Sequence, residues 1–409
     1  QMDILVLLTT LGMLLPLSRM LDFGLSPKKA WPMVGVVAGI GMLAKGPVTC
    51  VIPAIVFLTY CISGRLKPRL TNFGFPIAII LGATITASWY GLLFLNERTD
   101  VLHEVVVRQN LSRFSEAWDH IQPWWYYLKY FWIEFAPWSL LIPIALTISP
   151  TRDSEQKLSR MAWCWILFVT LFFSLSESKR APYILPIAPA VAILSAGVVE
   201  RLIEGTLTNL QRRMTLGVAA LVSTLFTLGA MVLYFKATGK YPDLAMEAKV
   251  LGIALLASGL LMLLGISMYG GNNYLAPLTL VGGIVAFYLT ASIFVLPAMN
   301  ERKSARSFSQ IMNKHLEHEN ATIASYNFWD WRAGYPYYAN RIIPNFKHLD
   351  SLRKYWDTTE NPCLIVESPD DAEIEKHLAD IVTIHKQEIG SRTVHLLCRE
   401  NRDKLGLNE

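Results

Sequence analysis

The chain has 409 residues, of which 53% are hydrophobic, 11% aromatic and only 17% charged, against roughly 25% charged in an ordinary soluble domain. That composition excludes a single soluble globule, a disordered chain and a coiled coil, and five cysteines are too few to staple a chain of this length. The formal charge of +5 is unevenly divided: residues 1–300 carry 22 Lys/Arg against 15 Asp/Glu and residues 301–409 carry 15 against 17, so the two parts face different solvents.

In chain order, apolar runs of near membrane-spanning length occupy 2–21, 31–44, 47–63, 73–95, 124–148, 161–177, 182–200, 215–236, 249–269 and 277–297. They predict a mainly α, polytopic helix bundle of about ten spans over residues 1–298. The second and third runs fall short of the ~20 residues a bilayer demands, so the pair joined at Lys45-Gly46-Pro47 is either a helical hairpin or a broken, re-entrant unit. Basic residues recur in alternate loops: Arg19, Lys28 and Lys29; Arg65, Lys67 and Arg69; Arg152, Lys157 and Arg160; Arg201, Arg212 and Arg213. Lys and Arg are retained on the cytoplasmic side, which places these loops inside and Gln1 outside. An even number of spans then puts the C-terminal segment outside as well. The chain opens on Gln1 at the mouth of an apolar run rather than on Met, and reads as part of a longer sequence.

Charge returns after Asn300. An amphipathic helix is expected over 304–316, strands over 322–326, 363–367, 381–385 and 393–398, and a polar helix near 371–378, together a small extracytoplasmic α/β domain over 299–409. Cys363 and Cys398 both fall on expected strands; they read as two buried free thiols, with a bridge the alternative in an oxidising compartment. His315 and His318 lie three apart without a third ligand at metal spacing, and read as solvated helix face.

Ionisable residues concentrate at the expected outer helix ends, where a charge is cheap to solvate and several can converge on one ligand. Lys45-Gly46-Pro47 offers a compact cation, a residue that permits a tight turn, and a proline suited to the first turn of a helix. It fits a phosphate and fits equally an interfacial lysine beside a turn. The segment 176–183 repeats the device with Lys179, Arg180 and Tyr183; the two turns together point to a lipid phosphate, with contact to anionic lipid and no catalysis as the competing reading. The loop 96–123 carries Glu104, Arg108, Asn110, Arg113, Phe114, Asp119 and His120 and is longer than a connector needs to be. Trp124, Trp125, Tyr126 and Tyr127 follow, as an aromatic belt or as a surface on which a sugar or prenyl chain stacks. Asp3 opens the first run either as a helix-end carboxylate or as a ligand or general base. There is no P-loop, GxSxG, HExxH, CxxC or dinucleotide glycine pattern. No cofactor is demanded, a divalent metal stays open, and no nucleic-acid partner is expected.

Leu43-Ala44-Lys45-Gly46-Pro47, then Gln109-Asn110-Leu111-Ser112-Arg113-Phe114 with His120, Gln122-Pro123-Trp124-Trp125-Tyr126-Tyr127 and Pro137-Trp138, then Phe172-Phe173-Ser174-Leu175-Ser176 with Lys179-Arg180 and Tyr183-Ile184-Leu185-Pro186, occur in the order seen in the GT-C glycosyltransferases. Over essentially its whole length the chain resembles that superfamily, in the branch of the lipid A aminoarabinose transferases and protein O-mannosyltransferases. The resemblance implies transfer of a sugar from a polyprenyl phosphate to a lipid (lipid A-like), glycan or protein acceptor at the outer face of the bacterial cytoplasmic membrane, with inversion at the anomeric carbon. It also implies donor-phosphate binding by Lys45, Lys179, Arg180 and Tyr183, with Arg113 and His120 lining the same cavity. Glu104, Asn110, Trp125 and Tyr126 are expected to line it too. The family carries further spans ahead of the Asp3 position and an acidic residue, taken as the base, in a long first external loop; this chain shows neither, and a shortened transferase lacking its main base is expected. Ala181-Pro182 also departs from the family's usual turn. A transporter or flippase for an anionic lipid is the rival reading, and a non-catalytic fragment the third.

Overall fold

In the computed structural model the described residues are 3–67, 70, 73–96, 121–237, 244–328, 334–368, 370–378, 380–389 and 392–400. They form two compact units, Gln1–Leu225 with Gly259–Val281, and Phe226–Ser258 with Gly282–Glu409. Among the described residues seven helices are long and apolar enough to cross a membrane, and the chain is a polytopic membrane protein.

The first unit opens with α1 (Asp3–Asp22), α2 (Pro27–Lys45), α3 (Val48–Gly64) and α4 (Gly74–Leu95). At 1.5 Å per residue the 17 residues of α3 reach about 26 Å, short of a ~30 Å hydrocarbon core. Lys45-Gly46-Pro47 makes a sharp reversal: Cys50 Sγ, in the first turn of α3, lies 3.8 Å from the Ala38 carbonyl of α2. Small residues set the contact between α2 and α4, because a Cβ on Gly35 would overlap the backbone of Ala78. Trp31 packs edge-on against Phe57 and Phe75, with centroids 6.0 and 4.8 Å away.

The expected span 124–148 is not one helix. It is divided into α5 (Tyr126–Glu134), a 3-10 turn Trp138–Leu141 and α6 (Ile142–Leu146). Pro137 and Pro143 cannot donate the N–H that a continuous helix requires at those positions, so hydropathy here marks depth and not helix length. There follow α7 (Asp153–Leu175), a 3-10 segment Ala181–Ile187 and α8 (Ala188–Glu204). Met20, Ile52, Trp165 and Ile184, each at most 1% exposed, lie at the centre of this unit. Later in the chain come α9 (Asn209–Val232), α10 (Ala245–Ser267) and α11 (Leu275–Thr290), each divided between the two units, and α12 (Leu296–Lys303) of the second.

In the second unit α13 (Arg306–His318) leads into a five-stranded mixed sheet of β1 (Thr322–Tyr326), β2 (Asn345–Phe346), β3 (Pro362–Glu367), β4 (Ile381–Ile389) and β5 (Arg392–Arg399), in the order β2-β1-β3-β5-β4. The strand period of two sorts the apolar residues onto both faces. Ile323, Ile365, Val394 and Leu396 pack on Phe308, Met312 and Leu316 of α13, while Ala324, Leu364, Val366 and Leu397 pack on Leu352, Trp356 and Ile374. The last three come from α15 (Leu349–Thr358) and α16 (Asp370–His377), while α14 (Gly334–Ala339) sits with α13 and contributes Tyr335. Helices on both faces of a sheet bury both of its apolar sides, the α/β arrangement expected from the sequence.

The reading of Cys363 and Cys398 as free thiols is overturned. Antiparallel pairing of β3 with β5 sets the two directly opposite one another, with Cα atoms 4.1 Å apart, and they form a disulfide. Strand propensity alone carries no register, so the sequence could place both residues on strands without pairing them.

Candidate functional site

Local sequence brings three of the expected site residues together. Asp3 occupies the first turn of α1, where free N–H groups favour a carboxylate, and Lys45 ends α2, where free carbonyls favour a cation. Gly46 has φ +71°, a conformation that glycine adopts readily and a side chain opposes. The chain therefore reverses immediately after Lys45, leaving the lysine at a turn instead of within a helix. Its Nζ makes an ion pair with Asp3 Oδ1 and lies 4.9 Å from the centroid of the Tyr183 ring. The pair is partly shielded, with Lys45 28% and Asp3 16% exposed. Tyr183 belongs to the 3-10 segment Ala181–Ile187, and its ring is held 5.9 Å from Phe173 of α7.

Lys179 and Arg180 are neighbours in sequence but not in environment. Lys179 is 4% exposed, and its Nζ donates to the Gln122 carbonyl at 3.0 Å and to the Ser176 carbonyl. Burial lowers its pKa below the usual lysine range, opposed in part by the carboxylate of Glu177. Arg180 is exposed. Its backbone carbonyl accepts hydrogen bonds from Tyr127 Oη at 3.2 Å and from the Tyr183 N–H at 3.0 Å. Gln122 N–H donates to the Glu177 carbonyl at 3.3 Å, and Ile121 bridges to Ser178. The basic turn is thereby tied to the segment just ahead of α5.

The aromatic run is partly structural. Tyr127 is fully buried, Tyr126 stacks on Tyr130 at 4.3 Å and meets Tyr127 edge-on at 5.2 Å, and Trp125 is 48% exposed at the start of α5. Glu104, Asn110, Arg113 and His120 lie outside the described residues. The aromatic run hinted at Tyr127; that Gln122 and Ser176 act through main-chain carbonyls left no trace in their side-chain types. Chemically, the cluster offers an ion-paired ammonium, an ammonium held on two carbonyls and an open guanidinium, a set suited to a phosphate-bearing ligand. His315 is half-buried beside Cys363 and Cys398, contrary to the expected solvated position, whereas His318 is 77% exposed.

Fold and cluster define a polytopic membrane protein that resembles the GT-C glycosyltransferases. Residues 1–90 match the family model described as dolichyl-phosphate-mannose-protein mannosyltransferase. The chain is 32% identical over 167 residues to an undecaprenyl phosphate-alpha-4-amino-4-deoxy-L-arabinose arabinosyl transferase of Erwinia tasmaniensis, over 41% of this chain and 30% of that protein. It is 34% identical over 177 residues to the corresponding transferase of Aeromonas salmonicida, over 42% of this chain and 32% of that one. The matched stretch thus spans about a third of each of these relatives. A crystal structure of ArnT from Cupriavidus metallidurans bound to undecaprenyl phosphate superposes with a TM-score of 0.71 at 17% identity, covering 97% of this chain and 74% of the other. That likeness establishes the fold.

Proposed function

We propose that the chain serves a membrane glycosyltransferase that moves a sugar from a polyprenyl-phosphate donor to a lipid acceptor of the lipid A kind at the outer face of the cytoplasmic membrane. The observation that carries this reading is the cluster of Lys45, Asp3 and Tyr183 beside the Lys179-Arg180 turn. The names of the relatives, which specify an undecaprenyl-phosphate-linked aminosugar, support the donor class.

In this reading the donor phosphate is met by Lys45 and Arg180, with Tyr183 flanking Lys45 and Lys179 supplying positive potential from its buried place. Departure of the polyprenyl phosphate leaves negative charge on its oxygens, and cations already fixed in position stabilise that charge without reorganising. Asp3 orients Lys45. We further propose Trp125, Tyr126, Glu104, Asn110, Arg113 and His120 as contacts of the donor, and a boundary between the bundle and the α/β domain near residue 299. The disulfide in that domain is compatible with the oxidising side of a membrane and supports an external C-terminal segment in this reading.

Binding of undecaprenyl phosphate to the chain in lipid nanodiscs tests the assignment. Lys45→Ala and Arg180→Ala are each expected to weaken binding by about 1.5–3 kcal/mol, the worth of a charge-assisted contact. Unchanged affinity in both variants overturns the phosphate site. Transfer of labelled sugar from the undecaprenyl-phosphate donor to lipid A, lost in the same variants, tests the reaction itself.

A further inference from the structure

The α/β domain holds a cluster that the transferase reading does not use. Met312 and Leu316 anchor α13 on the face of the sheet that carries Cys363 and Cys398. His315 lies between those two anchors, three residues after one and one residue before the other, and the helix therefore delivers its imidazole to the two sulfurs. The ligand atoms of His315, Cys363 and Cys398 all lie within 4.8 Å of one another. They border a cavity of about 250 Å³ that Glu319, Arg399 and Glu400 also line. The Arg399 guanidinium is turned onto main chain, donating to the carbonyls of Thr359 at 3.0 Å and Trp356. Two carboxylate-bearing residues, the Asn361 amide, one imidazole and two sulfurs thus border the space.

With the sulfurs joined, neither can bind a metal strongly, because the thiolate is the ligand. Reduction changes the donor set, while the ladder that runs from Leu364–Leu397 to Glu367–Val394 still holds β3 beside β5. We propose that reduction of Cys363–Cys398 converts this cluster into a Cys₂His site for a zinc-like divalent ion, with solvent in the cavity as the fourth ligand. Tetrahedral Zn²⁺ takes sulfur at about 2.3 Å and imidazole nitrogen at about 2.0 Å, so its ligand atoms stand roughly 3.5–3.8 Å apart, a spacing that the observed cluster encloses. The reductant is a dithiol. It delivers two electrons and two protons to the S–S bond and is itself oxidised to a disulfide; the metal then displaces two protons from the thiols and takes neutral imidazole from His315.

The test uses the full chain in detergent, before and after reduction with a phosphine that is then removed. Cobalt(II) is the probe, because thiolate coordination gives it a charge-transfer band and tetrahedral geometry gives it intense d–d bands. The reduced wild-type chain is expected to bind one cobalt ion, which zinc displaces, and the unreduced chain none. His315→Ala is expected to weaken cobalt binding roughly tenfold or more, as loss of an inner ligand costs at least what loss of a supporting partner does. The paired change Cys363→Ser with Cys398→Ser is expected to abolish the charge-transfer band, which also separates this site from Cys50, Cys61 and Cys164. Absence of the band in the reduced wild type overturns the proposal, and so does a band unaffected by His315→Ala. Should the double serine variant fail to fold, the histidine variant alone decides, because it leaves both sulfurs in place.

Discussion

Lys179 is a cation placed where cations are costly. The folded chain holds its pKa below the ordinary lysine value through burial, so protonation favours the unfolded state. As pH rises toward the usual lysine range near ~10.4, the unfolded chain retains this proton after the folded chain has released it, and this residue's contribution to stability rises with pH through that window. Ligand binding moves the opposite way, because the charge that attracts phosphate is lost first at this site. Undecaprenyl-phosphate affinity is therefore expected to decline with pH in wild type from below the ordinary lysine range. In Lys179→Arg, whose side chain stays charged, the decline is expected to begin later; coincident profiles would exclude Lys179 as a source of binding potential. The difference between Lys179 and Arg180 could not be read in the sequence, where they are adjacent members of one basic pair. What separates them is a carbonyl 57 residues away in the chain, and a main-chain acceptor has no signature in residue type.

At the scale of elements, Lys45 ends the helix that packs closely on α4, and its place is expected to depend on that fit. Gly35 abuts the Ala78 backbone, which has no rotamer with which to yield. Gly35→Leu is expected to push the two helices apart, cost about 1–3 kcal/mol of the kind seen on overpacking, and reduce donor-lipid binding with every charged group intact. Thermal unfolding and lipid binding measured on the same preparation check this; loss of stability with full binding would show that Lys45 is positioned independently of the α2–α4 contact. Apolar runs 2–21 and 73–95 announced α1 and α4 directly, because lipid imposes the same rule along the whole of each. The run 124–148 did not announce its breaks, since Pro137 and Pro143 sit in a stretch whose hydropathy remains high across both. The strands of the α/β domain were legible from their β-branched and apolar runs, whereas the pairing of β3 with β5, and with it the disulfide, depended on a register that no local pattern encodes. Closing a loop of 35 residues by that bond is expected to contribute roughly 2–4 kcal/mol. Denaturant unfolding of the full chain followed by fluorescence, with and without reductant, should show the difference.

For the molecule as a whole, the proposed orientation makes a direct claim about the two sides of the membrane. A reporter enzyme that is active only in an oxidising compartment, fused after residue 400, is expected to be active, and the same reporter placed between Arg152 and Asp153, ahead of α7, is expected to be silent. The reverse pattern would invert the assignment and take the phosphate cluster to the cytoplasm.

The order of the sheet has a further consequence for how copies of this protein share a membrane. β4 is an outermost strand, nine residues long, and among the described residues no strand pairs with its outer row of main-chain donors and acceptors. Its register shifts between Thr383 and His385, and Lys386 and Glu388 stand exposed along it. An interrupted ladder and protruding charge prevent a second copy from laying its own outer strand alongside. At high density in the bilayer, these domains should therefore remain separate from one another instead of joining into continuous sheets.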